Sequence, residues 1–238
     1  MTEKELLRAG LDELKLASCP RDTDTAIERL LQYSEILLEK NKVMNLTAIT
    51  DPAEVVTRHF LDCAALAQYM PKGGRVIDVG TGAGFPGMPL AILCPETEFV
   101  LLDALRKRID FLNEVIEALG LQNVTAVHAR AEDFAKEHRG TFDLAVSRAV
   151  AELRVLSEMA VPMVKVGGAF LAMKAEDCTE EVEAAANAMA VLGTPEAELL
   201  HYTVPFDGVS RVIVRLQKQQ ETPEKYPRRF KKIQTNPL

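Results

Sequence analysis

Two kinds of apolar spacing divide the chain. Up to about residue 68 the spacing is helical. Thr2 and Glu5 have capping-box spacing ahead of Leu6, Leu7, Leu11 and Leu14, and a break follows at Cys19-Pro20. Thr25 and Glu28 repeat the capping pattern before a 3.6-period stripe of Ile27, Leu30, Leu31, Ser34, Leu37 and Leu38. Asp51-Pro52-Ala-Glu54 then orders an N-cap, a first-turn proline and an N3 glutamate, and the helix it starts should bury Val55, Val56, Phe60 and Cys63.

After Pro71-Lys-Gly-Gly74 short apolar runs alternate with helical stretches. Strands are expected at 75–79, 98–103, 124–128, 144–147 and 169–174, with helices near 88–93, 106–119, 150–164 and 180–192. Alternation of this kind implies parallel strands joined by right-handed crossovers, an α/β doubly wound sheet. The runs 199–204 and 211–216, joined by Pro205-Phe-Asp-Gly-Val-Ser210, suit an antiparallel hairpin instead.

The 238 residues are 47% hydrophobic and 26% charged, enough to bury a sizeable core. The four cysteines and four histidines are scattered without metal-ligand spacing, so no metal site is expected. The longest uncharged run, 79–95, holds four glycines and three prolines, which breaks any membrane-spanning helix. The charged start lacks a signal-peptide pattern, and the expected location is the cytoplasm. Net charge is −7, unevenly spread: 210–238 carries +6 and the rest −13. A basic tail on an acidic body suggests contact with a polyanion, although a merely solvated tail would look the same.

The sharpest chemical signal is Arg75-Val-Ile-Asp-Val-Gly-Thr-Gly-Ala-Gly-Phe-Pro-Gly87, a buried strand running into a glycine-rich turn and a helix opening at Pro86. Glycines let the backbone approach a ligand closely, and free amides can meet an anionic group. Residues 82–87 also satisfy the dinucleotide fingerprint. Against that register, the first glycine after the strand is Gly80, giving Gly-x-Gly-x-Gly at Gly80, Gly82 and Gly84, with Asp78 inside the strand. The next strand ends at Asp103, where a carboxylate can accept hydrogen bonds from both ribose hydroxyls. Ala131 and Glu132 follow the third strand. Arg148 ends the fourth and should point into the ligand crevice.

Asn45-Leu-Thr-Ala-Ile49, Arg58-His-Phe-Leu-Asp62, Asp78 to Leu90, Leu102 to Arg108, Ser147-Arg-Ala149 and Tyr226-Pro-Arg228 occur in this order. Together they resemble the RsmG (GidB) family of 16S ribosomal RNA guanine-N7 methyltransferases. The resemblance implies a class I S-adenosylmethionine-dependent methyltransferase fold (Rossmann-like) with an N-terminal helical region. It divides the chain into a helical cap over 1–70, a methyltransferase domain over 71–217 and a basic tail over 218–238. It implies S-adenosyl-L-methionine as cofactor, 16S rRNA or the small ribosomal subunit as partner, and a monomeric enzyme. Carried over by position, cofactor contacts fall at Gly80, Phe85, Ala131, Glu132 and Arg148, beside Asp78, Gly82, Gly84 and Asp103 from the glycine turn and general fold logic.

Arg148 is the candidate catalytic residue, anchoring cofactor or guanine. Candidate RNA contacts are Asn45, Arg58, His59, Lys174, Arg228 and Arg229. For His59, four residues from both Val55 and Cys63, internal packing is an equal reading; Arg58 and Lys174 are as evenly balanced. Guanine N7 carries no proton, so no general base is expected. The competing classes are a dinucleotide oxidoreductase, a methyltransferase of small molecules or proteins, and a non-catalytic RNA-binding protein.

Overall fold

The computed structural model of the protein describes residues 1–14, 23–148 and 150–238; the Cys19-Pro20 break and Ala149 lie outside them. Helix α1 (Glu3–Glu13) opens with the expected capping box between Thr2 and Glu5. Helix α2 (Thr23–Met44) begins ahead of the cap that the Thr25–Glu28 spacing indicated, so Thr25 sits inside its first turn. Asp51 caps α3 (Pro52–Val55), its carboxylate accepting from the Glu54 amide at 3.0 Å. The chain then passes without interruption through a π-helical turn, Val56–Leu61, into α4 (Asp62–Ala64). Val55, Val56, Phe60 and Cys63 are fully buried along this stretch.

The sheet-forming part follows as β1 (Arg75–Val79), α5 (Gly87–Leu93), β2 (Glu98–Asp103), α6 (Arg106–Leu119), β3 (Val124–His128), α7 (Ala131–Glu137) and β4 (Phe142–Arg148). It continues with α8 (Leu153–Ala160), β5 (Val164–Ala175), α9 (Thr179–Ala184), α10 (Ala186–Leu192), β6 (Ala197–Thr203), β7 (Ser210–Gln217) and α11 (Phe230–Thr235). Pro86 stands just ahead of α5 rather than inside it. The single helix expected over 180–192 is two short ones, meeting at Ala185.

One seven-stranded sheet has the order β3-β2-β1-β4-β5-β7-β6. The first five strands pair in parallel, while β7 is antiparallel to both β5 and β6. Strand order reverses between β1 and β4, which opens a crevice at the carboxyl ends of those strands. Each face of the sheet carries its own apolar core. Leu30, Tyr33 and Phe60 of the N-terminal helices share one with Leu101, Leu112 and Ile213. Leu156, Met159 and Leu192 share the other with Ile77, Phe170 and Val212. The N-terminal helices therefore cover one sheet face directly.

The basic C-terminal segment is docked rather than solvated. Lys218 is buried, its ammonium donating to the Val161 and Val164 carbonyls at 3.0 and 2.7 Å. Arg228 is held by Glu158 of α8, whose side chain is fully buried: Nε donates to Oε1 at 2.8 Å and Nη2 to Oε2 at 2.5 Å. Ile233 of α11 is buried in the second core.

Candidate active site

The glycine turn is built around a buried carboxylate. Asp78 is fully buried on β1; its Oδ2 accepts from the Gly87 amide at 2.8 Å and the Thr81 hydroxyl at 2.7 Å. These bonds tie the end of the strand to the start of α5. Burial pushes its carboxyl up to about 7 despite them. Asp78 does not border the cavity in front of the turn, so the expectation of a cofactor contact there is corrected to that of an anchor.

Gly84 is corrected in the same way. With φ +106 it lies away from the cavity, and a Cβ there would meet the Tyr33 hydroxyl at 2.7 Å and Leu112 at 2.9 Å. Its lack of a side chain serves packing against α2 and α6. Tyr33 also donates to the Ala83 carbonyl, so the N-terminal helices hold the turn from behind. Gly80 and Gly82, at φ +73 and +62, do face the cavity.

That cavity measures about 490 Å³ and lies at the reversal in strand order. Asp103, at the end of β2, is almost fully buried and accepts from the Gly82 amide at 3.0 Å, the Leu105 amide at 2.9 Å and Arg108 Nη1 at 3.1 Å. Ala131 and the buried Glu132 line the wall at the start of α7. Phe85 and Arg148 close the far side, together with His59. Seven of the nine expected cofactor residues (Gly80, Gly82, Phe85, Asp103, Ala131, Glu132, Arg148) thus surround one space.

Arg148 is held on every side. Nη1 donates to Asp62 Oδ2 at 3.0 Å, Nη2 to His59 Nδ1 at 3.1 Å, and the guanidinium carbon lies 4.8 Å from the Phe85 ring centre. Tyr202 on β6 donates to the other Asp62 oxygen at 2.8 Å. His59 stacks on Phe85 with ring centres 4.4 Å apart, and its Nε2 meets the Thr47 hydroxyl at 2.9 Å. Burial, then the neighbouring guanidinium, lowers the imidazole to about 3. It is therefore neutral near pH 7, and its Nδ1 faces both the Arg148 guanidinium and, at 3.2 Å, the Arg58 carbonyl.

The other expected RNA residues divide. Asn45 and Arg229 are exposed. Arg58 is half-exposed, donating to Asp207 at 3.1 Å. His59 is internal, as the packing reading had it. Lys174 borders a second cavity beside Arg58 and Arg148, while its ammonium turns to the far face of the sheet, donating to Glu181 at 2.6 Å and to the Ala151 carbonyl at 2.8 Å. Arg228 is largely buried and engages Glu158 through Nε and Nη2, so its main role is structural. Asp62, Tyr202, Thr47, Tyr33, Arg108 and Phe230 had no expected role, yet each builds or lines the site. Asp62 had a usable signal, one helical turn from Arg58. Tyr202 and Phe230 had none, since they reach the site only through tertiary folding.

The family model for rRNA small subunit methyltransferase G (GidB) matches residues 26–205. The chain belongs to this family. Among rRNA small subunit methyltransferases G, that of Alkaliphilus metalliredigens is 45% identical over 233 residues, 96% of each chain. That of Acetivibrio thermocellus is 44% identical over the full length of both. In Desulfitobacterium hafniense the identity is 47% over 205 residues, 85% of each. Solved structures share the fold at lower identity. The TYW2 protein of M. jannaschii in complex with AdoMet superposes with a TM-score of 0.53 at 19% identity, covering 65% of this chain and 73% of that one. TYW2 of P. horikoshii in complex with MeSAdo gives 0.54 at 17% identity, covering 66% and 61%. Among the described residues no helix is long and apolar enough to cross a membrane, and no three His, Cys, Asp or Glu side chains gather for a metal ion.

Proposed function

We propose that this methyltransferase transfers the methyl group of S-adenosylmethionine to N7 of a guanine in 16S rRNA, acting as a cytoplasmic monomer on the RNA or the small subunit. One observation carries the cofactor assignment: Gly80, Gly82, Asp103, Ala131, Glu132, Phe85 and Arg148 border a single cavity at the switch point of the sheet. Its volume lies within the range of small-molecule sites, roughly 300–1,000 Å³. The absence of a Cβ at Gly82 leaves room above the turn. The choice of guanine N7 rests on the family resemblance.

The residues fit an adenosyl ligand along their chain order. Asp103 is assigned to the ribose hydroxyls, which would displace the half-exposed Arg108 from its carboxylate. Ala131 and Glu132 are assigned to the adenine, and Phe85 with Arg148 to the reacting end. S-Adenosylmethionine, when bound, supplies an electrophilic methyl group, which the N7 lone pair takes as the methyl–sulfur bond breaks and positive charge passes to the base. No proton leaves N7, so the protein's work is positioning, for which roughly 7–11 kcal/mol is available from proximity and orientation. Asp62 offsets the Arg148 charge, and the neutral His59 adds none, which limits repulsion of a cationic donor.

The test is transfer of tritiated methyl to small-subunit particles from a strain lacking the endogenous activity. Label at a single guanine N7 is expected. No label despite calorimetric binding of S-adenosylmethionine would reopen the substrate. Binding of NADH in place of S-adenosylmethionine would overturn the reaction class.

A further inference from the structure

A second cavity of about 490 Å³ adjoins the first, and His59 and Arg148 line both. Its floor is a single row across three strands. Ala175 of β5 is registered with Arg211 of β7, and Arg211 with Tyr202 of β6. Residues directly opposite on paired strands project to the same face, so all three side chains stand on the side of the N-terminal helices. Arg58 and Asp62 of the π-helical turn and α4 complete the wall. The function proposed above uses Asp62 and Tyr202 only to brace Arg148, and leaves this space empty of any role.

Arg211 shows what the space is suited to hold. Its Nε is buried and has no hydrogen-bond partner. A buried donor without a partner is costly and calls for an explanation, such as a ligand that completes it. The cavity therefore offers a cationic donor on one side and the Arg148–His59 boundary with the cofactor cavity on the other. The β6–β7 loop, tied to the cavity wall by the Asp207–Arg58 ion pair, holds Phe206, half-exposed and at φ +63, and Asn45 sits at φ +49 beside the segment 46–49, which borders both cavities. They are the two non-glycine residues with positive φ among those described. Backbone strain of this kind clusters at ligand clamps.

Resting on the methyltransferase reading, we propose that the second cavity is the acceptor subsite, taking one unpaired guanosine of the RNA past the β6–β7 loop. Arg211 donates to guanine O6, and N7 points into the first cavity where the two spaces meet beside Arg148 and His59. Arginine commonly spans O6 and N7 of guanine together. Here N7 is the nucleophile and must stay bare, so a single donor to O6 suits the chemistry. Adenine, with an amino group at that position, would set donor against donor. Phe206 supplies an apolar surface on which a neighbouring unpaired base stacks, as RNA-binding aromatics do.

Two variants test this. Arg211→Met removes the donor while keeping an unbranched side chain, and Ala175→Trp fills the subsite from an exposed position. Wild-type methyl transfer to small-subunit particles is measured first; if no guanine is labelled, the reaction reading fails and this proposal falls with it. With wild-type transfer established, both variants should bind S-adenosylmethionine within about twofold of wild type by calorimetry. Their kcat/KM on particles should fall about tenfold to a hundredfold. Particle binding in the presence of S-adenosylhomocysteine should weaken in parallel. Wild-type kinetics in both variants would overturn the assignment, and so would a loss of cofactor affinity matching the loss of kcat/KM.

Discussion

Two side chains at the site bear opposite pH signatures. His59 has its imidazole lowered to about 3 by burial and by Arg148, against an ordinary value of about 6.5. In the unfolded chain it takes up a proton that the folded chain refuses. Its contribution is therefore present above pH 6.5 and is lost as pH falls towards 3. Asp78 is the reverse. Its carboxyl is pushed up by burial to about 7, against about 3.9, so the folded chain holds a proton that the unfolded chain releases. Its contribution is present below about pH 4 and is lost as pH rises to 7. Between pH 4 and 6.5 the two trends oppose each other, and the wild-type profile conceals both. Denaturant titrations of His59→Gln and Asp78→Asn across pH 4–7 separate them. The stability of wild type minus His59→Gln should grow with pH, and that of wild type minus Asp78→Asn should shrink. Parallel profiles for all three proteins would mean that neither group is perturbed by its surroundings.

At the scale of elements, the docked C-terminal segment makes the sharpest claim. Removing one partner of a buried, hydrogen-bonded ion pair leaves an uncompensated charge and typically costs roughly 3–5 kcal/mol. Glu158 is fully buried and Arg228 largely so, and the pair joins α8 to the segment before α11. Arg228→Ala should therefore lower the thermal midpoint markedly. Arg229→Ala, at an exposed neighbour, should leave it nearly unchanged. Equal melting curves for the two variants would show the pair to be dispensable. The sequence could not separate these adjacent arginines. Its charge count saw a basic run, whereas the partner of Arg228 lies 70 residues away within the apolar stretch Leu153–Ala160. Local signals did better: the caps at Thr2 and Asp51, the glycine turn, and the apolar runs of β1 to β5 place the sheet and most of the first cavity. The π-helical turn was not legible, because apolar positions at Val55, Val56, Phe60 and Cys63 suit an α-helix equally well. That turn presents Arg58 and His59 and leads to Asp62, so the network around Arg148 was hidden along with it. Asp78 and Gly84 belonged to the motif for a reason of packing that spacing alone does not distinguish from ligand contact.

For the molecule as a whole, charge limits how RNA can be held. The chain carries −7, and several basic residues expected to meet phosphate are turned inward, Lys174, Lys218 and Arg228 among them. Besides Arg108 and Arg130, which line the first cavity paired with Asp103 and Glu132, the exposed or half-exposed cations associated with the mouth are few: Arg58, and Arg229 with Lys231 and Lys232 around α11, where Phe230 lines the first cavity. Each phosphate neutralised on a single strand contributes about −0.7 to the slope of log K against log salt. Three or four contacts give a slope of roughly −2 to −3, shallow for an enzyme acting on RNA. Association would then depend on base contacts and on the shape of the assembled particle more than on bulk electrostatics. Anisotropy titrations of a 16S rRNA fragment across salt concentrations should return this slope, and Arg229→Ala should flatten it by about 0.7. A slope of about −6 or steeper would require a basic surface away from this mouth. An unchanged slope in Arg229→Ala would remove α11 from the RNA contact and leave the loops around Asn45 and Phe206 to carry it.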